Sequence, residues 1–142
     1  MARMIFVNLP VTDLKRSIAF YEAIGATVNP TFTDETAACM VFSDSIHVML
    51  LTPPKFAGFT PRPIADARAA SEVLLCISCE SREEVDGMVE AAVASGGIAD
   101  PSAKQDFGFM YGRSFEDPDG HIWEPMYMDM QGFLAATGQA AA

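Results

Sequence analysis

The stretch that decides the fold of this chain reads Phe115-Glu116-Asp117-Pro118-Asp119-Gly120-His121-Ile122-Trp123-Glu124. Apolar residues on both sides of an acidic centre predict two strands joined by a tight turn. Pro118 presets a φ that suits a turn, and Gly120 accepts a positive φ, so the chain reverses direction here. The second strand carries Glu124 among apolar neighbours, where a carboxylate is costly unless it is hydrogen-bonded or paired. Glu124 is therefore a candidate functional group.

The same order of elements, β-α-β-β-β, occurs twice along the chain. Thr12 or Asp13 is the expected cap of the first helix, and Ser81 with Glu84 forms a capping box for the second. The predicted strands are 4–11, 27–33, 36–42, 46–51, 73–79, a short one near 98, 109–115 and 122–128. We divide the chain into a first module (1–52), a proline-rich connector (53–71), a second module (72–130) and a frayed tail (131–142), all within one structural domain.

Composition excludes several classes of protein. The 142 residues carry a formal net charge of −10, and such a surface repels phosphate backbones, so we expect no nucleic-acid partner. No apolar run approaches the ~20 residues that cross a bilayer, and the start of the chain lacks the pattern of a signal peptide. We therefore expect a cytoplasmic protein without a membrane partner. The three cysteines suggest no disulfide framework; Cys76 and Cys79 point to opposite strand faces, and we interpret all three as core thiols.

The repeat and its end motifs resemble the vicinal oxygen chelate superfamily, which includes glyoxalases, bleomycin-resistance proteins and extradiol dioxygenases. Residues 11–21 resemble the first strand-to-helix junction of that family, and residues 117–124 resemble its last hairpin. A bacterial subgroup labelled predicted lactoylglutathione lyases is the most similar, because it shares the opening at 8–11 and the approach at 108–115. The resemblance implies an α+β fold of paired β-α-β-β-β modules that form an open, cup-shaped mixed sheet. It also implies a homodimer.

The resemblance further implies where a metal would be held. Metal-dependent relatives use side chains from four strands, and these positions correspond here to Phe6, Met49, Leu74 and Glu124. Only Glu124 is a potential ligand, whereas a catalytic zinc site normally has three protein ligands. We therefore expect no metal and no other cofactor.

An alternate metal site is conceivable from the residues themselves. His47 and Glu72 each lie two residues before a vacant position, on the same strand face, and with Glu124 they would give one imidazole and two carboxylates. Two residues along a strand correspond to about 6.6 Å, so such a site would lie nearer the rim of the cup. The alternative is that His47 is a satisfied or rim histidine and Glu72 a solvated charge.

Glu124 is our candidate catalytic residue, and it has three interpretations. It is a general base that abstracts a proton beside a carbonyl, an anchor for a ligand, or a carboxylate satisfied by the backbone, Tyr111 or Arg113. Asn8, His47, Tyr111 and Arg113 are the candidate substrate-binding residues. Tyr111 and Arg113 share one strand face, and Arg113 would clamp an anion or form a surface or intersubunit salt bridge. The sequence does not decide whether Tyr111 or Met110 turns inward.

Two hypotheses follow for the function. The first is a small-molecule binding protein that holds a partly apolar molecule in its cup without the usual metal. The second is a metal-dependent, glyoxalase-like lyase or isomerase that uses Glu124 as base or ligand. A dioxygenase comes third, because the two histidines and one carboxylate that it requires are absent. Met126, Met128 and Met130 either line an adaptable apolar pocket or fill the core.

Overall fold

The computed structural model describes residues 2–138 and consists of two sheets with helices. The strands are β1 Ile5–Pro10, β2 Thr27–Asn29, β3 Ala37–Val41, β4 Ile46–Leu51, β5 Leu75–Ser78, β6 Ile98–Ala99, β7 Gln105–Asp106, β8 Met110–Gly112, β9 Phe115–Glu116 and β10 Ile122–Met128. The helices are α1 Leu14–Ala23, α2 Pro53–Ala57, α3 Arg82–Ala94 and α4 Met130–Thr137, and Pro30–Phe32 form a 3-10 turn. Among these residues, no helix is long and apolar enough to cross a membrane.

Each module builds its own mixed sheet. The first has the strand order β1-β4-β3-β2, with β1 parallel to β4 and the other neighbours antiparallel. In the second, the path β6-β9-β10-β8-β7 is antiparallel, and β5 pairs in parallel with β10. The predicted α+β fold with two related modules is confirmed. No ladder joins β1 to β5, so each of these strands has one edge that is unpaired within the described part of the chain.

Local capping explains where the two long helices begin. The Asp13 carboxylate accepts a hydrogen bond from the Arg16 N–H at 3.1 Å, so Asp13 rather than Thr12 caps α1. The Ser81 hydroxyl accepts from the Glu84 N–H at 3.0 Å, as the capping-box pattern predicts. The Glu84 carboxylate reaches back to the Glu80 N–H, one residue before the cap.

The two modules share one hydrophobic core beneath the helices. Phe20 and Tyr21 of α1 are fully buried, and they pack against Phe115 and Trp123 from the second module. Trp123 therefore lies on the helix-covered side of its sheet. Because side chains alternate along a strand, Glu124 must then point to the other side of the sheet.

A buried polar network joins the modules at the Asp117–Gly120 turn. The Tyr21 hydroxyl donates to an Asp117 carboxylate oxygen at 2.6 Å and accepts from Trp123 Nε1 at 3.0 Å. Burial raises the pKa of Asp117, although two backbone N–H groups also donate to it. Asp119 accepts hydrogen bonds from the backbone and the hydroxyl of Thr12 at 3.0 and 2.8 Å. The turn therefore connects the modules as well as reversing the chain.

Proline explains two differences between the predicted and observed strands. The strand expected over 109–115 is divided into β8 and β9, because both pair with β10 on either side of Pro125, which has no N–H to donate. The Arg113 N–H still donates to the Pro125 carbonyl at 3.2 Å. The strand expected over 27–33 ends at Asn29, because Pro30 begins the 3-10 turn.

Two segments expected to lack regular structure contain helices. Pro53 and Pro54 occupy the first turn of α2, where a missing N–H costs nothing, so the connector is partly helical. The tail expected to fray forms α4, whose cap Asp129 accepts a hydrogen bond from the Gly132 N–H at 3.1 Å. The end of that predicted tail, 139–142, lies outside the described residues.

Candidate functional site: the open faces of the sheets and the cavity between them

The open face of each sheet is the side opposite α1 and α3, and it carries most of the candidate residues. In the first sheet, strand alternation and register place Phe6 and Asn8 of β1 on this face, beside His47 and Met49 of β4. In the second sheet, Glu124 lies on the open face. The structure therefore brings Asn8 and His47 together, and it places Glu124 on the other sheet.

Glu124 is half-buried and has neither a hydrogen bond nor an ion pair with any residue of the described range 2–138. Its partner in the parallel register is Cys76 of β5, and the two side chains share the open face. Partial desolvation by neighbouring groups raises the pKa of the Cys76 thiol, and the charge of Glu124 raises it further. The interpretation of Glu124 as a carboxylate satisfied by Tyr111 or Arg113 is not supported by these contacts.

Tyr111 and Arg113 are directed toward α3 instead. Tyr111 is buried in a small cluster with residues of α3, and its hydroxyl donates to Asp86 at 2.6 Å. The Arg113 guanidinium donates to Asp86 at 3.0 Å and to Asp100 at 3.1 and 2.7 Å. The hydrogen bonds from Arg113 lower the pKa of Asp100. On β8, Met110 faces the open side of the sheet. Arg113 borders a small cavity that also adjoins Glu124, but its guanidinium is paired with Asp86 and Asp100, and Tyr111 does not border that cavity.

His47 is buried and stacks on Phe6, with ring centroids 4.5 Å apart and an interplanar angle of 17°. Its Nδ1 atom is buried and has no hydrogen-bond partner within residues 2–138. The ring is thus held mainly by apolar contact. Its predicted role in substrate binding stays a prediction.

The donor set for a hard divalent ion does not assemble on these faces. In the described part of the chain, no three side chains of His, Cys, Asp or Glu lie close enough to hold a metal ion. The alternate set of His47, Glu72 and Glu124 is therefore not brought together. At the positions that relatives use, Phe6 is covered on one side by His47, and Met49 and Leu74 offer no hard donor.

A cavity of about 550 Å³ lies between the modules, and we call it the seam cavity. Its walls are the unpaired edge of β1, the connector, the approach to β5 and the start of β10. The lining residues are Val7–Pro10, Phe56, Thr60, Arg62–Ala65, Ala67, Ala70–Val73, Leu75 and Gly120–Ile122. Of the predicted site residues, Asn8 lines it. A second cavity of about 110 Å³ adjoins Glu124, and its lining includes Cys76, Met110 and Met126.

The unpaired edges beside the seam cavity are apolar and exposed. Ile5 and Phe6 at the start of β1 are 58% and 47% exposed, and Val73 and Leu74 before β5 are 55% and 52% exposed. Natural sheets usually protect such edges, because another strand can pair with them. The expected homodimer stays a prediction. In such a dimer, a strand of the second chain would pair with these edges.

Sequence reasoning missed two features of the site. His121 is not among the predicted site residues, but its Nε2 lies 2.8 Å from the Pro10 carbonyl oxygen and it lines the seam cavity. Cys76 was taken for a core thiol, but it is exposed, whereas Cys39 and Cys79 are buried. The alternation that puts Cys79 in the core would have put Cys76 on the open face.

Comparisons with known proteins agree with this architecture. A family profile described as Glyoxalase/Bleomycin resistance protein/Dioxygenase superfamily matches residues 3–124. The hypothetical protein SA1046 from S. aureus is 26% identical, with a TM-score of 0.73 over 89% of this chain and 95% of its own. A comparison with curated proteins gives no match.

Two structural relatives carry functional names. The fosfomycin resistance protein FosX from Listeria monocytogenes is 19% identical, with a TM-score of 0.63 over 89% of this chain and 91% of its own. The bleomycin resistance determinant encoded on transposon Tn5 is also 19% identical, with a TM-score of 0.60 over 90% of this chain and 99% of its own. At this identity the two relatives establish the fold alone. Since the family profile covers nearly the whole chain, this protein belongs to the glyoxalase/bleomycin resistance protein/dioxygenase superfamily.

Proposed function

We propose that this protein binds a small, partly apolar molecule in the seam cavity and does so without the divalent metal of its metal-dependent relatives. The size of the cavity is the observation that carries the proposal. Its volume of about 550 Å³ lies within the range of about 300–1,000 Å³ that small-molecule sites occupy. The cavity beside Glu124, at about 110 Å³, is too small for such a ligand.

The lining of the seam cavity combines aliphatic surface with polar and charged groups, among them Arg62 and Glu72, which suits a partly apolar ligand. Val7, Leu9, Leu75 and Ile122 offer aliphatic surface. The Asn8 amide can both donate and accept a hydrogen bond. Polar groups in such a lining orient a ligand, and burial of apolar ligand surface against the aliphatic side chains contributes binding free energy.

Neighbouring alanines in the connector allow a direct test. Ala69 and Ala70 are both exposed, but only Ala70 lines the seam cavity. Ala70→Trp should fill part of the cavity and weaken binding of the neutral fluorescent probe N-phenyl-1-naphthylamine by about tenfold or more, a change of about 1.4 kcal/mol. Ala69→Trp should bind the probe as the wild type does, and equal affinities in both variants would refute the assigned site.

Metal analysis of protein purified without chelators or affinity tags separates this proposal from the lyase alternative. We expect no stoichiometric zinc, nickel, iron or manganese. Any of these ions at one per chain, lost on Glu124→Ala, would instead favour a metal-dependent lyase. A panel of small, partly apolar molecules is a suitable first set of ligands for thermal-shift measurements, because a ligand that binds the folded state raises Tm.

A further inference from the structure

Four sulfur-bearing side chains lie around Glu124 on the open face of the second sheet. Cys76 is the register partner of Glu124, and Met126 follows two residues later on the same face. Met128 is the register partner of Met110. The alternating methionines of β10 therefore place thioethers side by side on the face that also holds a thiol and a carboxylate.

Gly112 brings two of these thioether side chains together. It is the register partner of Met126, and it leaves open the space that a larger residue would fill. A Cβ atom at this glycine would lie 3.8 Å from Met110 Cε and 3.8 Å from Met126 Cβ. Met110 Cε and Met126 Cβ thus both flank the space above the glycine, and with Cys76 and Glu124 the two methionines border the cavity of about 110 Å³.

Thiolate and thioether sulfur are soft ligands, and in proteins this combination selects Cu(I) over hard divalent ions. We propose that Cys76, Met110 and Met126 form a Cu(I) site, with the Glu124 carboxylate supplying negative charge beside the ion. The thiol releases its proton when it binds the metal. Cys76 is the exposed cysteine of the three, so the ion can reach it without unfolding of the protein.

Nearby positive charge does not compete for this carboxylate. The Arg113 guanidinium is held by Asp86 and Asp100, and Arg82 is paired with Asp106. A cavity of about 110 Å³ fits an ion and its ligands better than an organic molecule. The proposal does not depend on the seam cavity, whose lining shares no residue with this site.

The test is an anaerobic titration of reduced, untagged protein with Cu(I), in competition with bathocuproine disulfonate. We expect about one tightly bound Cu(I) per chain. Cys76→Ala should abolish this binding, and Cys79→Ala, which removes a thiol from the opposite face, should retain it. The double variant Met110→Leu/Met126→Leu conserves volume and should weaken Cu(I) binding by about tenfold or more. Met130→Leu, at an exposed position of α4, is the matched control.

The outcomes are distinct. Weaker binding in both the Cys76 and the double-methionine variants supports the site. If the double-methionine variant binds Cu(I) with wild-type affinity, the ion is bound adventitiously by one thiol and the proposal is overturned. The proposal is also overturned if the wild-type protein fails to compete with bathocuproine disulfonate for Cu(I). Thermal melts with and without Ag(I), a redox-inert substitute, provide a second readout. The rise in Tm should be smaller in the double variant than in Met130→Leu if the site is correct.

Discussion

The Tyr21 hydroxyl should contribute far more to the free energy of unfolding than the hydroxyl of a tyrosine that makes no hydrogen bond. The Tyr21→Phe variant tests this. The hydroxyl is fully buried, donates to Asp117 at 2.6 Å and accepts from Trp123 Nε1 at 3.0 Å. Its removal leaves one buried donor and one carboxylate oxygen without partners, and each such group costs about 1–3 kcal/mol. Asp117 keeps two backbone donors, so we expect a loss of about 3 kcal/mol in the free energy of unfolding.

The assay is urea denaturation followed by circular dichroism, with Tyr127→Phe as the control. Tyr127 is half-buried, and its hydroxyl makes no hydrogen bond among residues 2–138, so its loss should change stability by no more than about 0.5 kcal/mol. In thermal melts, Tyr21→Phe should lower Tm by about 10 °C. A Tyr21→Phe variant as stable as Tyr127→Phe would refute the idea that this network joins the modules.

The same variant should show a characteristic pH dependence. Burial raises the pKa of Asp117 above its ordinary value of 3.8, so the ionised carboxylate is disfavoured in the folded state. The protonated carboxyl of Asp117 therefore favours the folded state. Its contribution to the free energy of unfolding is fully present below pH 3.8 and is lost as the pH rises through the raised pKa. Tyr21 donates to the ionised form. The deficit of Tyr21→Phe should therefore grow across this window, and a deficit independent of pH would argue against an ionised Asp117 as the acceptor.

Further predictions concern packing and the Arg113 ion pairs. A Cβ atom at Gly97 would overlap the Glu116 carbonyl oxygen, so Gly97→Ala should lower the free energy of unfolding by about 3 kcal/mol. At Gly87, by contrast, no atom lies within 4 Å of the position that a Cβ atom would take. Gly87→Ala within α3 should stabilise by about 0.5–1 kcal/mol, and urea denaturation of the pair checks both signs. Arg113→Ala should cost about 2 kcal/mol at pH 7, allowing for partial solvent screening. Since its hydrogen bonds lower the pKa of Asp100 below 3.8, that cost should fade as the pH falls below 3.8, and an undiminished cost there would contradict the assignment.

Much of the fold follows from local sequence. Both helix starts are predictable, because Asp13 and Ser81 cap N–H groups three residues away. The opposite orientations of Trp123 and Glu124 follow from strand alternation alone. The strand over 109–115 was predicted too long, because the proline that divides it lies on the partner strand, at position 125. Such an effect becomes visible only when the pairing of β8, β9 and β10 is known.

The candidate site depends on contacts between distant segments. The sequence alone does not show whether Tyr111 or Met110 faces inward. In the structure, Asp86 of α3 accepts a hydrogen bond from the Tyr111 hydroxyl, and this places Tyr111 on the helix side of the sheet. Cys76 and Glu124 are 48 residues apart in the numbering, and only the parallel pairing of β5 with β10 makes them neighbours. Local periodicity gives the face of a residue on its own strand, but it contains no information on which residue of another strand lies opposite.

The sequence by itself determined the repeated β-α-β-β-β plan and the reversing turn at Asp117–Gly120, because hydrophobic periodicity, caps and turn residues are local properties of the chain. The tertiary structure alone decided that a cavity lies between the modules beside β1 and β5, and that Cys76, Met110 and Met126 border a second cavity with Glu124. The physical reason is that pairing and packing are settled by the free energy of the whole core, to which both modules contribute.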